Sequence, residues 1–298
     1  MKITIWLKAF RLRTLPLAMS CTVLSSLLAN AHGGFRWIIF ILALLTTLFL
    51  QILSNLANDY GDTIHGVDND KRIGPDRVTQ KGLVSRKQML IIIILCASLA
   101  FISGSLLILI GLKNTLQIVL FYLLGLASIF AAIKYTIGKN PYGYIGFGDL
   151  FVFLFFGILG VTGTYYLHTH SFDYWLILPA SALGLLSSAV LNLNNMRDIE
   201  NDTLSGKKTL VVRIGAKAAK YYHVILISLS MILSIIYTIR FFDSGFQLLF
   251  LITFPLFFLD IKTVLQNTKP IELNSELKKL AFSTFVYSLT YGLGFILS

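Results

Sequence analysis

Residues 37–62 read WIIFILALLTTLFLQILSNLANDYGD. Nothing before Asn55 is charged, and then two amides and two acids (Asn55, Asn58, Asp59, Asp62) arrive within eight residues. About 20 apolar residues in a helix cross the hydrocarbon core of a bilayer. The stretch therefore reads as a membrane-spanning helix whose end carries acids. A carboxylate set that close to lipid is expensive and points to function.

The pattern recurs along the chain. The protein has 298 residues, 56% hydrophobic and 13% charged, with a mean hydropathy of +0.76; soluble domains carry about a quarter charged residues. No soluble domain fits, because the longest polar stretches are those between Asn58 and Gln88 and between Arg197 and Lys220. Nine spans are expected, at about 14–31, 37–57, 89–112, 115–137, 147–167, 173–195, 219–240, 245–265 and 277–297. Backbone polar groups in lipid must bond within the segment, so the spans are helices. The fold class is all-α: one polytopic domain over residues 1–298, nine transmembrane helices in a bundle. Cys21 and Cys96 both fall in apolar segments and read as small core residues, which argues against a disulfide framework or thiolate metal site. The basic N-terminus runs into a full-length span and is not read as a cleavable signal.

The net charge of +11 reads as orientation rather than as nucleic-acid binding. With nine spans, 22 Lys and Arg fall on one side and three (Arg36, Lys113, Arg240) on the other. That asymmetry predicts an N-in, C-out topology with the long 2–3 and 6–7 loops on the cytoplasmic side. The basic arm over residues 2–13 looks amphipathic, and Arg11 and Arg13 are expected to anchor it to anionic lipid.

Asn55, Asp59 and Asp62 are spaced four and three apart, which places them within about 60° on one helical face. Asn194, Asp198 and Asp202 are spaced four and four, fanned over about 80°. The two clusters lie 139 residues apart, and each closes an even-numbered helix on the cytoplasmic side. Either alone reads equally well as a solvated helix end. Two matched carboxylate pairs on one side make a site for a hard cation; Mg²⁺ takes oxygen ligands and is commonly held by one or two carboxylates together with substrate phosphates. Basic residues surround them, Arg72, Arg77, Lys139, Arg197, Lys207, Lys208 and Arg213 among them. Each is explained singly by loop charge, but acids with metal plus bases suit a diphosphate.

Asn55-x3-Asp59-x2-Asp62 and Asp198-x3-Asp202 resemble the paired motifs of the intramembrane aromatic prenyltransferases, the UbiA-type superfamily, and the likeness covers nearly the whole chain. The stretches R11-L-R-T-L-P-L-A18, N55-L-A-N-D-Y-G-D62, R72-I-G-P75, and N195-M-R-D-I-E-N-D202 with G206-K-K-T-L210 are most similar to the branch that prenylates 1,4-dihydroxy-2-naphthoate; Y135-T-I-G-K139 matches a superfamily element. The second acid at x2, not x3, is the spacing of that branch.

The resemblance implies a polyprenyl diphosphate donor and an aromatic acid acceptor meeting at the bacterial cytoplasmic membrane, with Mg²⁺ held by Asp59, Asp62, Asp198 and Asp202. Asn55 and Asn194 would orient or supplement those ligands, and Arg72, Tyr135 and Lys139 would bond the diphosphate. The Phe-rich stretch 151–156 offers aromatic faces to a cation, although packing explains any one ring. Asp149 is expected to cap its helix. Within the superfamily the competing acceptor is 4-hydroxybenzoate. A secondary transporter is the alternative of a different class, but its binding site would sit near the bilayer midplane, and the acids here sit at helix ends.

Overall fold

The computed structural model describes residues 3–67, 73–74 and 77–298, so Arg72 and Pro75 of the RIGP stretch lie outside the described residues. Every regular element among the described residues is helical. In chain order the helices are α1 (Ile3–Phe10), α2 (Leu15–Ala31), α3 (Trp37–Ile64), α4 (Arg86–Gly111), α5 (Thr115–Lys134), α6 (Gly148–Thr169), α7 (Ile177–Arg197), α8 (Ile199–Leu204), α9 (Leu210–Arg240), α10 (Gly245–Gln266) and α11 (Leu273–Ile296).

Local signals set several boundaries. Pro16 stands in the first turn of α2, where a missing N–H costs nothing. Ser85 opens α4 with a capping box: its hydroxyl accepts from the Gln88 backbone N–H, and the Gln88 side chain accepts from the Ser85 N–H. Asn114 caps α5 by accepting from the N–H groups of Leu116 and Gln117. α9 starts earlier than the apolar pattern suggests, with non-helical backbone at Gly215 (φ 82) marking a kink near its start. The middle of α6, Phe153–Gly163, is π-helical, a geometry that recurs at functional sites.

Among the described residues eight helices are long and apolar enough to cross a membrane, and the chain is an integral membrane protein. The ninth expected span corresponds to α11. It has 24 residues, about 36 Å at 1.5 Å per residue, but it is diluted by Ser, Thr and Tyr. These face protein: the Tyr287 and Ser234 hydroxyls are 2.6 Å apart, and Tyr291 donates to the Ser234 carbonyl at 3.1 Å, so α11 exchanges polar bonds with α9. α7 is the central helix, with most of its residues buried, whereas α5 buries almost none of its residues and faces outward. α6 crosses α7 closely. A Cβ on Gly157 would come within 2.6 Å of the Ala180 oxygen and 2.7 Å of Gly184 Cα, a small-residue contact that lets membrane helices approach.

Two expectations are corrected. Asp149 does not cap α6: Phe147 holds the cap position without a side-chain bond, and Asp149 is buried one residue into the helix, where its carboxylate accepts from the Tyr222 hydroxyl at 3.4 Å. The N-terminal arm is amphipathic, but its Trp6 and Ala9 face is buried against Ile52, Leu56 and Met89 of α3 and α4. Leu7 and Lys8 point outward and Arg13 stays exposed, whereas Arg11 turns into the bundle.

Candidate active site

At the end of the bundle where α3 and α7 finish, the two acidic motifs are buried: Asp59, Asp62, Asp198 and Asp202 are each under 8% exposed. Buried charges must be paired, and each of these is. Arg11 donates to Asp59. Arg77 lies 3.3 Å from Asp59 and 2.5 Å from Asp62, and also donates to the Asn58 carbonyl at 2.6 Å. Arg197 forks onto the neighbouring Asp198, at 2.9 and 2.5 Å, and reaches Asn194 Oδ1 at 2.8 Å and Asn274 Oδ1 at 3.0 Å. Lys207 stands 3.7 Å from Asp202. Four carboxylates thus meet four cations.

Arg11 reaches the site because its own backbone is left-handed (φ 51), a conformation that side chains other than glycine adopt at a cost. The arm is held there by Asn55, which donates to the Phe10 carbonyl and to the Thr14 hydroxyl, both at 3.0 Å. The lipid-anchoring role expected of Arg11 is therefore replaced by an ion pair inside the protein.

α5 delivers Tyr135 through its close fit to α3. The Thr136 hydroxyl donates to the Ala57 carbonyl at 2.9 Å, and a Cβ on Gly61 would meet the Thr136 oxygen at 2.6 Å. Only glycine lets the two backbones approach so closely. Burial, with smaller contributions from Tyr142, Asp149, Asp62 and Asp202, raises the Tyr135 phenol well above its ordinary value and keeps it a hydrogen-bond donor. Burial likewise pushes the Asp202 carboxyl up to about 6; Lys207 pulls against the rise, and Asp198 and Asp62 add to it. The two motifs, far apart in sequence, feel each other's charge.

A cavity of about 380 Å³ opens beside these groups. Asn55, Asp62, Tyr135 and Asn194 line it with Arg11, Arg77 and Lys207. Asp59, Asp198 and Asp202 stand behind that wall, linked to it through Arg11 and Arg77, through Asn194 and Arg197, and through Lys207. The cavity continues along α3 as far as Ala43 between apolar walls that include Leu50, Phe155, Phe156 and Leu159, about 28 Å along the helix from Asp62. Its basic head and apolar length suit a ligand with an anionic head and a hydrocarbon tail. Lys139 is not part of it: it is exposed on the turn after α5, where Gly138 and Asn140 take left-handed backbone, and its carbonyl accepts from Lys134 Nζ.

Among the described residues no three His, Cys, Asp or Glu side chains converge on one point as a ready-made metal cluster. The donor chemistry nevertheless fits a hard cation, because the four buried acids offer oxygen alone.

One residue of the site escapes an acid-and-base reading of the sequence. Tyr144 donates its hydroxyl to Asp62, and its ring lies under Lys207 Nζ, 5.1 Å from the centroid. Its only trace in sequence is the turn P141-Y-G-Y144 after the Y-x3-K element.

Fold and site together define an all-helical integral membrane protein with a buried acid-and-base cluster at the head of a long apolar cavity. The chain belongs to the UbiA prenyltransferase family, whose pattern matches residues 18–289. It is 43% identical to the 1,4-dihydroxy-2-naphthoate octaprenyltransferase of Haemophilus influenzae over 99% of this chain and 97% of that one. It is 41% identical to the enzyme of the same name from Escherichia coli, over 98% and 95%. A UbiA homolog from Aeropyrum pernix K1 shares the fold with a TM-score of 0.66 at 15% identity, covering 100% of this chain and 98% of that one. A UbiA homolog from Archaeoglobus fulgidus, solved with DMAPP and Mg²⁺, does so with a TM-score of 0.62 at 16% identity, covering 98% and 99%.

Proposed function

We propose that the chain transfers a polyprenyl group from polyprenyl diphosphate to 1,4-dihydroxy-2-naphthoate, the prenylation step of menaquinone synthesis, with loss of the acceptor carboxyl group as carbon dioxide. The observation that carries this is the identity of 43% and 41%, over nearly the whole of both chains, to relatives named for that acceptor.

The residues suit the reaction. The allylic C–O bond breaks and its electron pair leaves with the diphosphate. The electron-rich ring attacks the allylic cation and forms the new C–C bond. The electrons of the ring–carboxylate bond then return to the ring as carbon dioxide departs. The barrier lies in separating charge, so positive groups fixed around the leaving diphosphate supply most of the catalysis. Arg11, Arg77 and Lys207 line the cavity for that purpose, and Tyr135, Asn55 and Asn194 complete the set around the head group. Mg²⁺, which is bound together with DMAPP or GPP in structures of a UbiA homolog from Archaeoglobus fulgidus, would supply further neutralisation of the leaving group when bound. Asp59, Asp62, Asp198 and Asp202 would hold it. Because those acids and their cations already balance, a metal-bound diphosphate adds little net charge to a buried site. The tail lies along the apolar cavity, beside the helix faces that meet lipid.

The same reading takes α11 as the ninth span, places the N-terminal arm and the acids on the cytoplasmic side, and sets the protein in a bacterial inner membrane. The 22-to-three split of basic residues supports it. The test uses acceptor labelled with ¹³C in its carboxyl group. One labelled carbon dioxide released per prenyl group transferred is expected; a prenylated product that keeps the label contradicts the proposed chemistry.

A further inference from the structure

Tyr144 sits in the 3-10 turn Tyr142–Ile145 between α5 and α6, part of neither acidic motif. Its hydroxyl donates to Asp62 Oδ1. Its ring lies 5.1 Å below Lys207 Nζ, and that ammonium is 3.7 Å from Asp202 Oδ1. The backbone reinforces the link: Lys208 N–H donates to the Tyr144 carbonyl at 2.8 Å, and Lys207 N–H donates to the Asp202 carbonyl at 2.8 Å. Arg213 ties the same turn from the other side, donating to the Ile145 carbonyl at 2.8 Å and to the Lys208 carbonyl at 3.3 Å. One side chain therefore touches an acid of the first motif and the base of the second.

We propose that Tyr144 is a positioning residue that couples the two acidic motifs, setting Asp62 through its hydroxyl and Lys207 through its ring so that both halves of the head-group site form together. The inference rests on the reading of the cavity as a prenyl diphosphate site. The physical grounds are two. A hydroxyl on a buried carboxylate satisfies one lone pair and fixes the rotamer of the acid. A cation over an aromatic face is held without neutralising it, so Lys207 keeps its charge for a phosphate oxygen. A second arginine in place of the tyrosine would instead compete for that oxygen.

The experiment measures geranyl diphosphate binding by calorimetry, without acceptor, at fixed and at varied Mg²⁺, on the detergent-purified full chain. The variants are Tyr144→Phe, Lys207→Gln, the double variant and Asp62→Ala. Tyr144→Phe keeps the ring and loses only the hydroxyl. It should weaken Mg²⁺-dependent binding about tenfold and leave the unliganded melting temperature within a degree or two. Lys207→Gln should do likewise, and the double variant should fall well short of the product of the two losses, because coupled residues are not additive. Wild-type binding by Tyr144→Phe, or fully multiplied losses in the double variant, would overturn the coupling. Asp62→Ala separates the levels. If it loses binding while Tyr144→Phe keeps it, the coupling alone is wrong; if Asp62→Ala binds as wild type, the reading of the site falls too.

Discussion

The residue that best exposes the economy of the site is Arg77. It sits between Asp59 and Asp62, 8% exposed, and answers two acids at once. Removing it leaves two carboxylates under-paired in a dry environment, and an uncompensated buried charge costs several kcal/mol. Arg77→Ala is expected to lower turnover at least a hundredfold and also to lower the melting temperature, whereas Arg77→Lys should recover stability more than activity, since an ammonium lacks the two-pronged fork. Asp198→Ala should reduce turnover by about a hundred- to a thousandfold, in line with the loss of a major electrostatic contributor; near-normal turnover would remove it from the site. The first pair of acids was legible from spacing, because the four- and three-residue steps along α3 put Asn55, Asp59 and Asp62 on one face; the second motif departs from that expectation, because Asp198 is the break between α7 and α8 and Asp202 lies on the second of these helices. Arg11 was not legible. Its path into the site depends on a left-handed backbone and on Asn55 pinning the arm, and neither leaves a mark in residue type. Lys139 was misplaced for the opposite reason: a motif match fixes neighbours in sequence, and the turn after Gly138 carries that side chain outward.

Between elements, fit depends on contacts that a polarity profile does not register. The approximate positions of the long helices were readable from apolar runs, but the approach of α3 to the end of α5 hangs on Gly61. Gly61→Val would push Thr136, and with it Tyr135, off position. A displacement of about 1 Å can cost a hundredfold in rate, so activity should fall by about that factor while the protein still inserts and purifies. A second inter-helical contact stands apart from the site. His223 on α9 and Asp260 on α10 are fully buried with Nε2 and Oδ2 2.7 Å apart, and their remaining polar atoms, Nδ1 and Oδ1, have no partner among the described residues. Asp260→Ala strands the histidine in an apolar interface and should destabilise the fold by about 3 kcal/mol, read as a lowered melting temperature with geranyl diphosphate binding retained in the folded fraction. α11 shows where apolarity misleads: its Ser, Thr and Tyr side chains look like an interruption in sequence, and in the fold Tyr287 and Tyr291 bond to α9 while Thr284 and Ser288 donate to carbonyls of α11 itself.

For the whole molecule, composition and charge asymmetry carried most of the information. An all-helical membrane protein with its acidic motifs gathered at one end of the bundle followed from apolar content and from where the acids fell. The orientation can be tested directly, because Cys21 and Cys96 are both buried and contribute little background labelling. An impermeant thiol reagent should reach Lys113→Cys from outside intact cells and Lys139→Cys only after the cytoplasmic face is exposed; both positions are exposed side chains. What the sequence left open at this scale was the cavity, since its volume and its reach along α3 arise from seven helices, α2 to α7 and α11, that no local pattern relates.

The measurement that bears most directly on the account is a product assay on the purified protein with Mg²⁺ and a polyprenyl diphosphate, offering 1,4-dihydroxy-2-naphthoate in one reaction and 4-hydroxybenzoate in another, with lipid products identified by mass and EDTA as the control. The account predicts a product of demethylmenaquinol mass, or of demethylmenaquinone mass once air has oxidised it, in the first reaction alone, abolished by EDTA and restored by Mg²⁺. Product from 4-hydroxybenzoate alone, or a naphthoate product indifferent to chelation, would contradict it.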